Sequence, residues 1–236
     1  MALSERKPGG RPTREQAAAM DDRVLDGART AFCRKGVANT SVDEIALQLG
    51  VSKHTIYRRY PNKGALLEAV VERDISQFKD ALLSASGGEM APLEAVKMTA
   101  RRYFEIGSSR DYAAFYLSVS AEAALSGALR RQLAIWSKAS LEPLKQTIRA
   151  AQAAGLVRNG DPSVICEILV DLLEGANNRV RLHDDTSGAP LHPEELFADR
   201  WSVFVSAMCK DALEEAPDAV RSGRASETRA EAKRRK

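Results

Sequence analysis

Thr40–Lys63, T-S-V-D-E-I-A-L-Q-L-G-V-S-K-H-T-I-Y-R-R-Y-P-N-K, reads as two short helices joined by a tight turn. Val42, Ile45, Ala46 and Leu49 recur at i, i+3, i+4, i+7, which gives the first helix one apolar face. Ser41 is placed to cap it, with Glu44 three residues on to complete a capping box. Gly50 follows, where a helix end wants positive φ. Ser52 offers a second N-cap, and Lys53, His54, Thr55, Tyr57, Arg58, Arg59 and Tyr60 come after it. Only Ile56 in that run is plainly apolar, and with Val51 it pins the segment to the first helix. A helix with so small a buried face and so many donors on the other suits a DNA major groove.

Outward from this stretch the pattern stays helical. Arg14 to Lys35 forms a first helix whose apolar face is Met20, Val24, Leu25, Ala28 and Phe32, ended by Gly36. Pro61 stops the second motif helix and Asn62 caps a fourth, which Leu67, Val70, Val71, Ile75, Phe78 and Leu82 carry to about Ser84. Such a helix joins the head to the remainder of the chain without a flexible linker.

The stretch resembles the helix-turn-helix of the tetracycline-repressor (TetR) family. Phe32, Gly36, Thr40, Ser41, Ile45, Ala46, Gly50, Val51, Ser52, Ile56, Tyr57, Tyr60, Lys63 and Leu66 carry the resemblance, which is detailed over residues 14 to 70. It implies an all-α fold of about nine helices: a three-helix DNA-binding head at 14–64, then a ligand-binding and dimerisation body at 65–215. By analogy with the family, Thr40, Ser52, Tyr57 and Lys63 contact phosphate and fix the register, with Ser41 beside them. Lys53, His54, Thr55 and Arg58, facing outward, are expected to read bases. Tyr60 is open to either phosphate contact or packing, and Arg59 to contact or plain solvation. Two residues depart from the family pattern. His54 replaces a small residue, and Gly64 stands where an acidic residue often opens the fourth helix, weakening that start by up to about 1 kcal/mol.

Charge is distributed to match. The net charge is +3, but residues 1–64 hold 12 Lys/Arg against 7 Asp/Glu, +5, and 217–236 hold 7 against 3, +4. Residues 65–216 hold 16 against 22, −6, so the polyanion partner belongs at the head. Residues 1–13 read as a disordered basic arm, whose cations together with the next residue are Arg6, Lys7, Arg11 and Arg14, and 216–236 as a disordered basic tail ending K-R-R-K. Cys33, Cys166 and Cys209 lie far apart on apolar helix faces, as small buried thiols in a reducing compartment do. No run approaches the ~18 apolar residues of a membrane span, and the start lacks a signal-peptide core, so an intracellular protein is expected. G-x-S-x-G, H-E-x-x-H, P-loop and G-x-G-x-x-G patterns are all absent, and no enzyme activity, cofactor or metal is expected.

The body reads as five further helices. Pro92 opens a fifth to about Ile106, and a sixth runs near Asp111–Leu125. A seventh, from Ser126 to Gly155, is expected to kink at Pro143. Asp161-Pro162 starts an eighth and His192-Pro193 a ninth. Both are apolar over more than one stripe. Ile168 and Leu172 on the eighth, with Trp201, Phe204 and Val205 on the ninth, are the candidate interface with a second copy. Helices five to eight enclose the ligand in the family, which makes Tyr103, Phe104, Tyr112, Phe115, Tyr116, Trp136 and Asn177, with Asn178, candidate pocket residues for an apolar or aromatic molecule. The loop around His183, Asp184, Asp185, His192 and Glu195 has metal-ligand residue types but no known metal spacing.

The reading these features favour is a cytoplasmic, homodimeric repressor that holds a near-palindromic operator through the helix at 52–60 and is released by a small molecule. An activator or ligand-independent DNA-binding protein is the nearer alternative. A small-molecule-binding or enzymatic helical domain with a vestigial head is the more distant one.

Overall fold

A computed structural model describes residues 13–183 and 190–209. Among them are ten α-helices, and the sole β pairing is a single bridge between Val157 and Cys209, so the class is all-α as expected. The helices are α1 (Arg14–Lys35), α2 (Val42–Leu49), α3 (Lys53–Tyr57), α4 (Lys63–Ala85), α5 (Pro92–Ser108), α6 (Arg110–Leu125), α7 (Gly127–Ser140), α8 (Glu142–Ala153), α9 (Pro162–Arg181) and α10 (Pro193–Met208). Residues 1–12 of the basic arm, the carboxy-terminal tail and the loop residues Asp184 and Asp185 lie outside the described residues, while Thr13, placed in the arm by the sequence reading, caps α1 by accepting from Gln16 N–H at 3.2 Å.

The long seventh helix expected from Ser126 to Gly155 is two helices. α7 stops at Ser140, Leu141 stands at φ −86°, ψ −1°, and α8 begins at Glu142. Pro143 falls in the first turn of α8, where its missing N–H has no helical partner to lose, so the proline starts a helix rather than bending one.

The chain divides into two compact units, Met1–Gln77 with Arg110–Ala139, and Phe78–Ser109 with Ser140–Lys236. In the first, Val24, Ala28 and Phe32 of α1 pack with Ile45 of α2, Ile56 of α3, Leu66 and Val70 of α4 and Phe115 and Val119 of α6. Phe32, Ile45, Ile56 and Leu66 lose all their exposure, each contributing about 1.5–3 kcal/mol of burial. α6 holds α1 at three points on one face. Asp111 pairs with Arg29 at 2.7 Å, the Arg29 guanidinium lies 5.1 Å from the Phe115 ring centre, and Ser118 donates to the Phe32 carbonyl (3.1 Å) while accepting from Val37 N–H (3.2 Å).

The second unit is built on α5, α8, α9 and α10. Phe104, Leu144, Ile148, Leu169, Leu173 and Phe204 are buried in it, and Phe104 and Phe197 stand 5.8 Å apart. Cys166 is buried here, and loss of hydration pushes its thiol up to about 12, so it stays protonated and inert. A polar seam joins α5 to α9: Glu174 accepts from Tyr103 (2.8 Å), Asn177 (3.0 Å) and Arg181 (3.0 Å).

Candidate nucleic-acid interface

The motif folds as its capping residues dictate. Ser41 accepts from Glu44 N–H at 3.1 Å and Ser52 from Thr55 N–H at 3.2 Å, each satisfying an orphan donor at a helix start. The reciprocal half of the box expected at Glu44 is replaced, because its carboxylate pairs with Lys35 across the turn from α1. Gly50 sits at φ 65°, ψ 30°, the left-handed cap that lets the chain reverse within three residues, and Val51 N–H returns to the Ala46 carbonyl at 3.0 Å.

Regular helix in the second segment covers Lys53–Tyr57, shorter than the expected 52–60. Beyond it the hydrogen bonding is mixed, and Tyr60 N–H still returns four residues to the Ile56 carbonyl at 2.9 Å. Arg58 N–H still reaches His54, whereas Arg59 N–H bonds Ile56 three residues back, and Pro61 ends the run. Ile56 is the segment's buried side chain. Lys53, His54, Tyr57 and Arg58 are exposed. Thr55 is half-buried, its hydroxyl 3.0 Å from that of Ser52.

For Thr40 and Lys63 the geometry gives a duty different from the phosphate contact that the resemblance implies. Thr40 is 2% exposed, and its hydroxyl donates to the Gly36 carbonyl at 2.8 Å at the end of α1. The Lys63 ammonium donates to the carbonyls of Val37 (2.8 Å), Ala38 (3.1 Å) and Thr40 (3.1 Å). Together they tie the α1–α2 turn to the start of α4. Tyr60, open in sequence, packs half-buried against the core with its hydroxyl 3.5 Å from Asp21. Its phenol is raised above the usual tyrosine range, first by burial and then by the Asp21 carboxylate. Arg59 is engaged too: it donates to the Ala17 carbonyl at 3.0 Å and pairs with Asp21. The sequence carried no signal for these α1 contacts, whose partners lie about forty residues upstream.

Gly64, expected to weaken the start of α4, leaves room for a cap. Asn62 Oδ1 accepts from Ala65 N–H at 2.8 Å, and a Cβ at position 64 would stand 3.1 Å from that oxygen.

The candidate pocket residues fall in both units. Tyr112, Phe115, Tyr116 and Trp136 belong to the first unit, where Phe115 is core and Tyr112 stacks on Tyr116 at 6.0 Å. Tyr103, Phe104 and Asn177 belong to the second, with Phe104 in its core. A cleft of about 130 Å³ in the first unit is lined instead by Val37, Lys63, Leu67, Glu122 and Leu129 among others, smaller than sites for drug-sized ligands. Of the interface candidates, Ile168, Leu172, Trp201 and Val205 are half-buried and Phe204 is fully buried in its own unit. Val164 and Val203 nearby on the same helices are 48% and 55% exposed.

Two short helices at a glycine turn, the second carrying an exposed row of cations and hydrogen-bond donors, define a helix-turn-helix DNA-binding domain. Residues 24–70 match the family model described as bacterial regulatory proteins, tetR family. That head, residues 24–70, is of the TetR-family type found in DNA-binding transcriptional regulators. The biofilm operon icaADBC negative transcriptional regulator IcaR of Staphylococcus epidermidis is 34% identical over 64 residues, 27% of this chain and 35% of that one. The chain spans about a third of the length of the first such relatives, 35% and 37%. A TetR-family regulator from Mesorhizobium loti superimposes with TM-score 0.70 at 23% identity, over 84% of this chain and 100% of that one. AibR, solved in complex with isovaleryl coenzyme A and operator DNA, superimposes with TM-score 0.58 at 21% identity, over 78% of this chain and 96% of that one. No helix among the described residues is long and apolar enough to cross a membrane.

Proposed function

We propose that the protein is a cytoplasmic homodimeric repressor that holds a near-palindromic operator through two copies of α3 and releases it when a small molecule binds the helical body. The observation that carries this is the outward row Lys53, His54, Tyr57 and Arg58 on a segment whose buried side chain is Ile56. In the proposal Lys53, His54, Thr55 and Arg58 read base edges, while Ser41, Ser52 and Tyr57 meet phosphates. Thr40 and Lys63 support that surface from behind. A two-fold pair sets its recognition helices about 34 Å apart, or a little more, one turn of duplex.

The apolar strip left accessible on α9 and α10 supports a second copy of the chain as partner. The name of IcaR, a negative regulator, supports repression, and the AibR complex, with an acyl thioester and an operator on one fold, supports a small-molecule effector. The proposed effector is an apolar or aromatic molecule that binds one conformer of the body better than the other and so shifts the population of heads that match the operator spacing. Selection of bound duplexes from a random pool at fixed salt tests the proposal. A two-fold symmetric consensus is the expected result; retention with no sequence preference, or no retention, overturns it.

A further inference from the structure

Packing alone leaves the direction of α3 under-determined. The helix has five residues and one buried side chain, Ile56. With only Ile56 fully buried, and Val51 and Tyr60 half-buried on either side, packing fixes the position of the helix better than its direction, and base-edge contacts tolerate little rocking. A further hold comes from α1. The Arg59 guanidinium, immediately after α3, donates to the Ala17 carbonyl at 3.0 Å and pairs with the Asp21 carboxylate. The Tyr60 hydroxyl reaches the same Asp21 oxygen at 3.5 Å. Ala17 and Asp21 are one helical turn apart and both meet the same Arg59 nitrogen, Nη1, so the end of the side chain is held between two points on one turn of α1.

Two further facts set Arg59 apart from its neighbour. Its side chain is only 21% exposed, whereas Arg58 is open to solvent. A carboxylate such as Asp21 beside a surface that meets phosphates works against binding on charge alone, and holding Arg59 accounts for its presence there.

Resting on the DNA-binding reading above, we infer that Arg59, held by Ala17 and Asp21, is a positioning residue that sets the direction of α3 against the duplex and is not itself a phosphate contact.

The test uses the full chain as wild type, Arg59→Gln, Arg59→Lys, Asp21→Asn and the Asp21→Asn/Arg59→Gln double variant. Each is titrated across a salt series with the selected operator and with a random duplex of equal length, after thermal melts by circular dichroism. A positioning role predicts that each single variant, Arg59→Lys included, weakens operator binding about tenfold. Random-duplex binding and both salt slopes stay at the wild-type values. The double variant loses no more than the weaker single, because both changes open the same latch.

A phosphate contact predicts the opposite. Asp21→Asn then tightens both duplexes by removing a negative charge and releasing the arginine. Arg59→Gln weakens both and lowers the salt slope by about 0.9 per head, and Arg59→Lys restores it. That pattern, or unchanged operator affinity in all variants, overturns the inference. A wild type that retains no duplex at all sinks the DNA-binding reading and the inference with it.

Discussion

Lys63 carries three ammonium protons, and the carbonyls of Val37, Ala38 and Thr40 take them all. Lys63→Met keeps most of the stem and strands the three acceptors, two of them in partly buried positions. A loss of about 1–3 kcal/mol is expected, read as a lower urea midpoint at constant slope. The salt dependence of random-duplex binding is expected to hold steady, and a drop of about one per head would restore Lys63 to the phosphate-contact set. Arg58, exposed on the same surface, behaves differently in kind. Arg58→Ala is expected to leave the fold intact, lower operator affinity by about 1–3 kcal/mol and relax the selected consensus at one position per half-site. A repeat of the selection with the variant checks it. The capping residues at this site were legible in the sequence because a cap's partner is three residues away: Ser41, Ser52 and Asn62 all do what their spacing indicates. Lys63 and Val37 are separated by 26 positions and Arg59 and Ala17 by 42, and no local pattern announces a contact that only the folded chain creates.

At the scale of elements, the unexpected partner of α1 is α6. Asp111, Phe115 and Ser118 fall at i, i+4, i+7, so one face of α6 meets Arg29 twice and the end of α1 once. Arg29 also pairs with Asp74 of α4 at 2.6 Å, and their side chains are 21% and 13% exposed. Burial lifts the Asp74 carboxyl above its ordinary range, with Arg29 opposing that lift. Removing the guanidinium leaves the acid sequestered and unpaired, so Arg29→Met is expected to cost on the order of 3 kcal/mol. Asp111→Asn, on a side chain 73% exposed, is expected to cost less than about 1 kcal/mol. The sign of the pH response is set by linkage. A carboxyl whose folded pKa lies above its unfolded value binds more protons folded, so its contribution is full in acid and is lost as pH rises through the folded pKa. In Arg29→Met that pKa climbs further, so the variant's deficit is expected to narrow as pH falls from neutral toward and through it. Urea midpoints across that range measure it, and a deficit that widens in acid rules the account out. Helix order and most boundaries were open to periodicity and caps, α1 from Arg14 to Lys35 among them. The break at Leu141 was not, because a proline inside a hydrophobic pattern is compatible with a kinked helix and with a fresh one.

For the whole molecule, the excess of apolar residues on α9 and α10 signalled two demands on each helix but left the faces unsorted. Leu169, Leu173 and Phe204 face the core of their own unit. Val164, Ile168 and Leu172, at i, i+4, i+8, follow a separate row, and Val203 is more than half exposed. Phe204 therefore reads as support behind the proposed interface, which explains why two substitutions on one helix are expected to part company. Phe204→Ala is expected to lower the unfolding free energy by about 3–5 kcal/mol, whatever the state of assembly. Val203→Glu is nearly neutral in a lone chain and costly between two copies, where it places a carboxylate against apolar side chains. Sedimentation of Val203→Glu, alone and with Ile168→Glu, is expected to give a folded monomer where the wild type gives a dimer. Each head then binds its half-site without the help of the other, and operator affinity is expected to fall by about a hundredfold or more. Random-duplex affinity per head stays the same, because the cationic surface of α3 is untouched. A variant that remains dimeric, or a monomer that holds the full operator as tightly as the wild type, removes two-fold symmetry from the account of how this protein selects DNA.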